Sequence, residues 1–61
     1  MFIISIYDYN DPTGERFMYE EYDKVNEAVK RYNDYVEDFN KHNRPYIVLL
    51  YTKTGNIICG F

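Results

Sequence analysis

Sixty-one residues carrying seven basic and ten acidic side chains, a net charge of −3, amount to one domain (residues 1–61) near the lower size limit for independent folding. A single cysteine excludes an internal disulfide, and one cysteine with one histidine excludes a conventional structural zinc site. A hydrophobic content of 46% beside 28% charge argues against disorder, so stability at this size has to come from aromatic packing or self-association, and eight Tyr and four Phe suit either.

The chain opens on an apolar run, Met1 to Ile6, that ends by Tyr7-Asp8. It is too short to span a membrane, and it lacks the basic flank and cleavage site of a signal peptide. The start at Met1 suggests a complete short gene product. The unpaired cysteine suggests the reducing cytoplasm of a cell, a host cytoplasm if a phage encodes it. Residues 2–9 read as the first strand, with Phe2, Ile4 and Ile6 on one face and Ile3, Ser5, Tyr7 and Tyr9 on the other. The more aliphatic set is expected to face a helix. Asn10-Asp11-Pro12-Thr13-Gly14 reads as a tight turn, with Gly14 free to take a positive φ. One glycine with no following Lys-Ser/Thr makes a poor phosphate cradle. Residues 16–22 read as the second strand of a hairpin, with Phe17 and Tyr19 on one face and Met18, Glu20 and Tyr22 on the other.

From Asp23 to about Lys41 the sequence reads as one amphipathic helix. Val25, Ala28, Val29, Tyr32, Val36 and Phe39 recur at helical spacing, and Tyr35 sits at the edge of that stripe. Asp23 is the expected N-cap, and the acids around it suit the positive helix end. Three oppositely charged pairs four residues apart, Glu27–Arg31, Lys30–Asp34 and Glu37–Lys41, predict a solvated outer face. Pro45 stops the helix. Tyr46 to Thr52 is apolar on both faces and is expected to be a central strand. A turn at Lys53-Thr54-Gly55-Asn56 leads to a last strand, in which Ile57, Cys59 and Phe61 share one face and Ile58 and Gly60 the other.

The resulting expectation is an α+β fold, β-β-α-β-β: a four-stranded, mainly antiparallel sheet with one helix packed on one face. A single helix covers one side only. The other side exposes apolar residues that a second copy, or another protein, should cover.

The charge is uneven. Residues 1–38 hold all ten acids against four bases, a net of −6, and residues 39–61 hold three bases and no acid, a net of +3. An acidic first half disfavours nucleic acid, and tyrosines on a sheet stack bases only where cations hold the backbone. His42, alone in Lys-His-Asn at the helix end, reads as a surface or capping residue, and Cys59 as a buried small hydrophobe. Asp8, Asp11 and Glu15 match no calcium loop and read as turn residues. No cofactor or metal site is expected, and the chain does not read as an enzyme.

The functional expectation is a non-enzymatic protein-binding module whose partner is a larger protein with a basic surface or a second copy of itself. Tyr7, Tyr9, Tyr19 and Tyr22 would anchor the contact. Glu20, Glu21, Asp34 and Asp38 would steer it. In composition, small, acidic and rich in Tyr, Asn and Ile, the chain resembles inhibitors encoded by phages or mobile elements. A structural homo-oligomer with an accessory role is the first alternative, and a sheet-face binder of single-stranded nucleic acid the second.

Overall fold

The computed structural model describes residues 1–60. Its elements are β1 (Phe2–Asp8), β2 (Arg16–Tyr22), α1 (Val25–Lys41), β3 (Tyr46–Thr52) and β4 (Ile57–Gly60). They form one sheet in the order β2-β1-β3-β4 with every pair antiparallel. β1 and β3 are therefore the central strands, as the two-faced apolar content of Tyr46–Thr52 requires. β2 and β3 both run antiparallel to β1, which lies between them. Their connection has to pass over the sheet, and α1 is that connection.

Ile4 and Ile6 from β1 and Val48 and Leu50 from β3 are 0–1% exposed beneath Ala28, Tyr32, Tyr35 and Phe39 of the helix. Phe2, Tyr22, Tyr46 and Cys59 pack around this core. The expected helix-facing set of β1 is thus the observed one. The helical stripe is rotated from expectation. Tyr35 is buried at 8% exposure, while Val25 is 42% exposed. The cause is polar: the Tyr35 hydroxyl donates to Glu20 Oε2 at 2.5 Å, which turns that edge of the helix toward β2.

Asp23 does not cap the helix. The N-cap is Lys24, in extended backbone with no side-chain capping bond. Tyr22 is still paired with Phe2 in the sheet, so only Asp23 and Lys24 remain to make the turn. Lys24 thereby places a cation at the positive end of the helix dipole. Lys24→Ser, which supplies an acceptor for first-turn N–H groups, is expected to stabilise the fold by about 1 kcal/mol, read as a rise in the urea midpoint at unchanged slope. At the other end His42 donates its backbone N–H to Asp38 O, Arg44 donates to Phe39 O at 2.9 Å, and Asn43 takes a φ of 52°, a left-handed stop before Pro45.

Two bulges break the strand alternation. Ile6 pairs with Met18 but Tyr7 pairs with Arg16, so Phe17 is the extra residue. Phe17 therefore leaves the pattern shared with Tyr19 and stacks on Tyr46 at 5.1 Å, which meets Phe39 edge-on at 4.9 Å. In β4, Leu50 pairs with Cys59 but Tyr51 pairs with Ile57. Ile57 and Cys59 consequently lie on opposite faces rather than together. The expected place of Phe61 beside Cys59 lies outside the described residues. β1 ends at Asp8, so Tyr9 is not in the sheet; its N–H donates to Pro45 O at 2.6 Å. The first turn is built by its own acids. Asp8 Oδ1 accepts from Asn10 N, and Asp11 Oδ1 accepts from the N–H and hydroxyl of Thr13, bonds that hold the Asp11 carboxyl below its usual range. Gly14 and Gly55 take the positive φ expected of them, 69° and 100°.

Candidate protein interfaces

Strand register sorts the expected contact residues onto different surfaces. Tyr7, Tyr19 and Glu21 lie on the face of the sheet that the helix does not cover. Glu20 and Tyr22 lie on the helix side, paired with Ile4 and Phe2. Asp34 and Asp38 are exposed on α1, and Tyr9 is 74% exposed at the end of β1. The eight residues do not form one patch.

Glu20 and Tyr22 are taken up internally. The Glu20 carboxylate accepts the hydroxyl of Tyr22 on Oε1 at 2.5 Å and that of Tyr35 on Oε2 at 2.5 Å, with Arg31 Nε at 3.5 Å. Arg31 also donates to the Tyr35 hydroxyl at 3.2 Å and lies over its ring. Burial raises the Glu20 carboxyl, but the two phenol bonds and the Arg31 charge together outweigh it and leave the pKa lowered. Burial, then the bond to Glu20, pushes the Tyr22 phenol up to about 12 and raises Tyr35 in the same direction. Glu20 is a structural lock between β2 and α1, with both carboxylate oxygens engaged inside the chain. Its position was readable: it shares the alternation of Met18 and Tyr22, and an acid facing a core needs partners.

The uncovered face is arranged in rows set by register. Arg16, Tyr7 and Ile47 form one end; Tyr19, Ser5, Leu49 and Gly60 the middle; Glu21, Ile3, Tyr51 and Ile57 the other end. Ser5 is fully buried there although no layer covers it. Its hydroxyl lies 2.6 Å from the Tyr51 hydroxyl, and Arg16 Nη1 donates to both, at 3.4 and 3.3 Å. The same guanidinium sits 4.3 Å over the Tyr19 ring. A small polar residue at the centre lets Tyr51 and Arg16 fold flat across it. The face therefore covers part of itself: Ile3 is buried and Tyr7, Ile47, Leu49 and Tyr51 are half-buried, which leaves less open apolar surface than the sequence implied. Sequence reasoning missed Arg16, Ser5 and Tyr51 as a unit. Their shared odd-numbered alternation in β1 and β3 was the available signal, and the bulge at Phe17 hid the third member.

The outer face of α1 also departs from expectation. Among the described residues the ion pairs are Arg31–Glu20 and His42–Asp38, and none of the three expected pairs along the helix is formed. Arg31 has turned to Glu20. Asp34, Glu37, Asp38, Lys41 and His42 line a shallow open cleft at the helix end. His42 Nδ1 lies 2.9 Å from Asp38 O and 3.3 Å from Asp38 Oδ1. His42 is thus a capping residue, and Cys59 packs against the core beside Tyr32. Among the described residues no group of three or more His, Cys, Asp or Glu is arranged to hold a metal ion, and no helix is long and apolar enough to cross a membrane.

No model of a known family, no curated protein sequence and no solved structure matches this chain.

Proposed function

We propose that the chain is a non-enzymatic protein-binding module that occupies a basic surface on a larger protein. The observation that carries the reading is the end of α1, where Asp34 and Glu37 stand exposed without a Lys or Arg partner among the described residues and Asp38 is engaged only by His42. Tyr9 projects from the backbone tied to Pro45, just past that helix end. The acids speed encounter with a positive partner, and an exposed tyrosine supplies contact area at low entropy cost. Blocking of this kind needs no catalytic group. It suits a small inhibitor of the sort phages and mobile elements encode, acting in the cytoplasm, where a single unpaired cysteine stays reduced.

The test is capture. The immobilised chain is expected to retain a larger basic protein from a lysate of its source cells, less as salt rises from about 50 to 200 mM. Asp34→Lys with Asp38→Lys should weaken retention at least about tenfold at unchanged circular dichroism, chiefly through slower association. Equal retention by that variant, or a retained protein that is acidic, would sink the reading.

A further inference from the structure

We propose that the uncovered sheet face is closed by a second copy of the same chain, related by a two-fold axis that runs in the interface across the strands. The inference stands apart from the partner proposed for α1, because it uses the opposite side of the molecule.

The argument is charge. The strand positions of this face carry one cation, Arg16, and one anion, Glu21, at opposite ends of β2 with Tyr19 between them. The face is therefore neutral overall, which suits neither a basic protein nor a phosphate backbone. It is complementary to itself. A two-fold axis through the Tyr19–Ser5–Leu49 row lays the Arg16 end of each copy over the Glu21 end of the other. Two identical ion pairs then flank an apolar centre, the arrangement an isologous contact demands.

The Glu21 carboxylate lies near the Tyr19 phenol and raises it, but neither charge of the face is cancelled. Among the described residues neither Arg16 nor Glu21 has an ion-pair partner. The bonds that position Arg16 use Nη1 alone, so among the described residues its Nη2 and Nε donors have no acceptor. The guanidinium is held by Ser5, Tyr51 and the Tyr19 ring before any partner arrives, so little ordering is left to pay for on docking. Size agrees as well. The molecule measures 29 × 25 × 14 Å, so its flat side offers at most roughly 700 Å² and a pair that uses all of it buries about 1,400 Å², inside the usual range for specific interfaces. The product is a four-layer α-β-β-α particle with both helices outward, and the acidic ends of α1 stay free.

A charge swap tests it by sedimentation equilibrium at low salt. Wild-type chain is expected to dimerise with a dissociation constant on the order of micromolar. Arg16→Glu and Glu21→Arg should each raise that constant at least about tenfold, since each sets like charges face to face, and the double swap should return it to within about threefold of wild type. Glu21 is exposed at the sheet edge, so Glu21→Arg keeps the fold testable even where Arg16→Glu disturbs Ser5 and Tyr51. A wild-type chain that stays monomeric at about 200 µM overturns the proposal. So does a dimer that Glu21→Arg leaves unchanged, or a double swap no tighter than the single variants.

Discussion

Glu20→Ala is expected to lower the unfolding free energy by about 2–4 kcal/mol in urea. The carboxylate accepts from Tyr22 and Tyr35 and faces Arg31 from a position only 27% exposed. Its removal strands the Tyr22 hydroxyl, leaves the Tyr35 hydroxyl with Arg31 alone, and unties β2 from the helix. Glu20→Gln should cost less, because the amide oxygen still accepts one phenol. The same site sets a pH dependence. The folded pKa of Glu20 is lowered, so the unfolded chain binds more protons on the acid side. Its contribution is fully present above the ordinary value of 4.5 and is lost as pH falls through the lowered folded value. At the alkaline end the sign reverses. The Tyr22 phenol is raised from 10.0 to about 12, so the folded chain holds its proton longer, and stability should fall as pH climbs through that interval. Urea midpoints measured across pH should show both declines in wild type. The acid decline should shrink in Glu20→Gln, and the alkaline one in Tyr22→Phe. A Glu20→Gln profile that matches wild type below pH 4.5 would remove Glu20 from the account.

Four of the five elements were legible because each carries its own periodicity: alternation in Phe2–Asp8 and Arg16–Tyr22, the 3.6-residue stripe in Val25–Lys41, and the apolar run at Tyr46–Thr52; β4 was legible from the Gly55 turn that precedes it. Two features were not legible, for different reasons. A bulge adds one residue without changing composition, so nothing in Phe17 or Ile58 marks it, yet each one shifts the face of every residue beyond it. The helix start failed because two local rules competed. Asp23 is the better cap by chemistry, but the pairing of Tyr22 with Phe2 fixes where the turn must fall, and tertiary pairing prevailed. The contact residues suffered from the same limits. Asp34 and Asp38 emerged on the surface because helical outer positions are easily read. Glu20 and Tyr22 turned inward as their shared alternation allowed, but the partners that hold Glu20 there, Arg31 and Tyr35, are distant in the chain and adjacent only in the fold.

Leu50→Ala is expected to unfold a large share of the molecules at 25 °C. Leu50 is fully buried between β1, β4 and the helix, and such a deletion costs about 2–5 kcal/mol, as much as the roughly 3–5 kcal/mol that a single core this small supplies. Its neighbour gives the control. Leu49 has the same side chain one residue away on the uncovered face, half-buried beside Gly60, whose added Cβ would lie 3.2 Å from it. Leu49→Ala should cost only about 1–2 kcal/mol in dilute solution, where part of that side chain is already wet. Dimerisation through this face changes the comparison. As protein concentration rises, wild type gains stability by mass action while Leu49→Ala gains less, so the gap between the two deletions narrows from one side only. Thermal unfolding followed by circular dichroism at two widely separated concentrations reads this directly. Equal and large losses at both positions in dilute solution would mean that the sheet is already covered on both sides within one chain, a packing that the exposed edges of Tyr19 and Ile57 contradict.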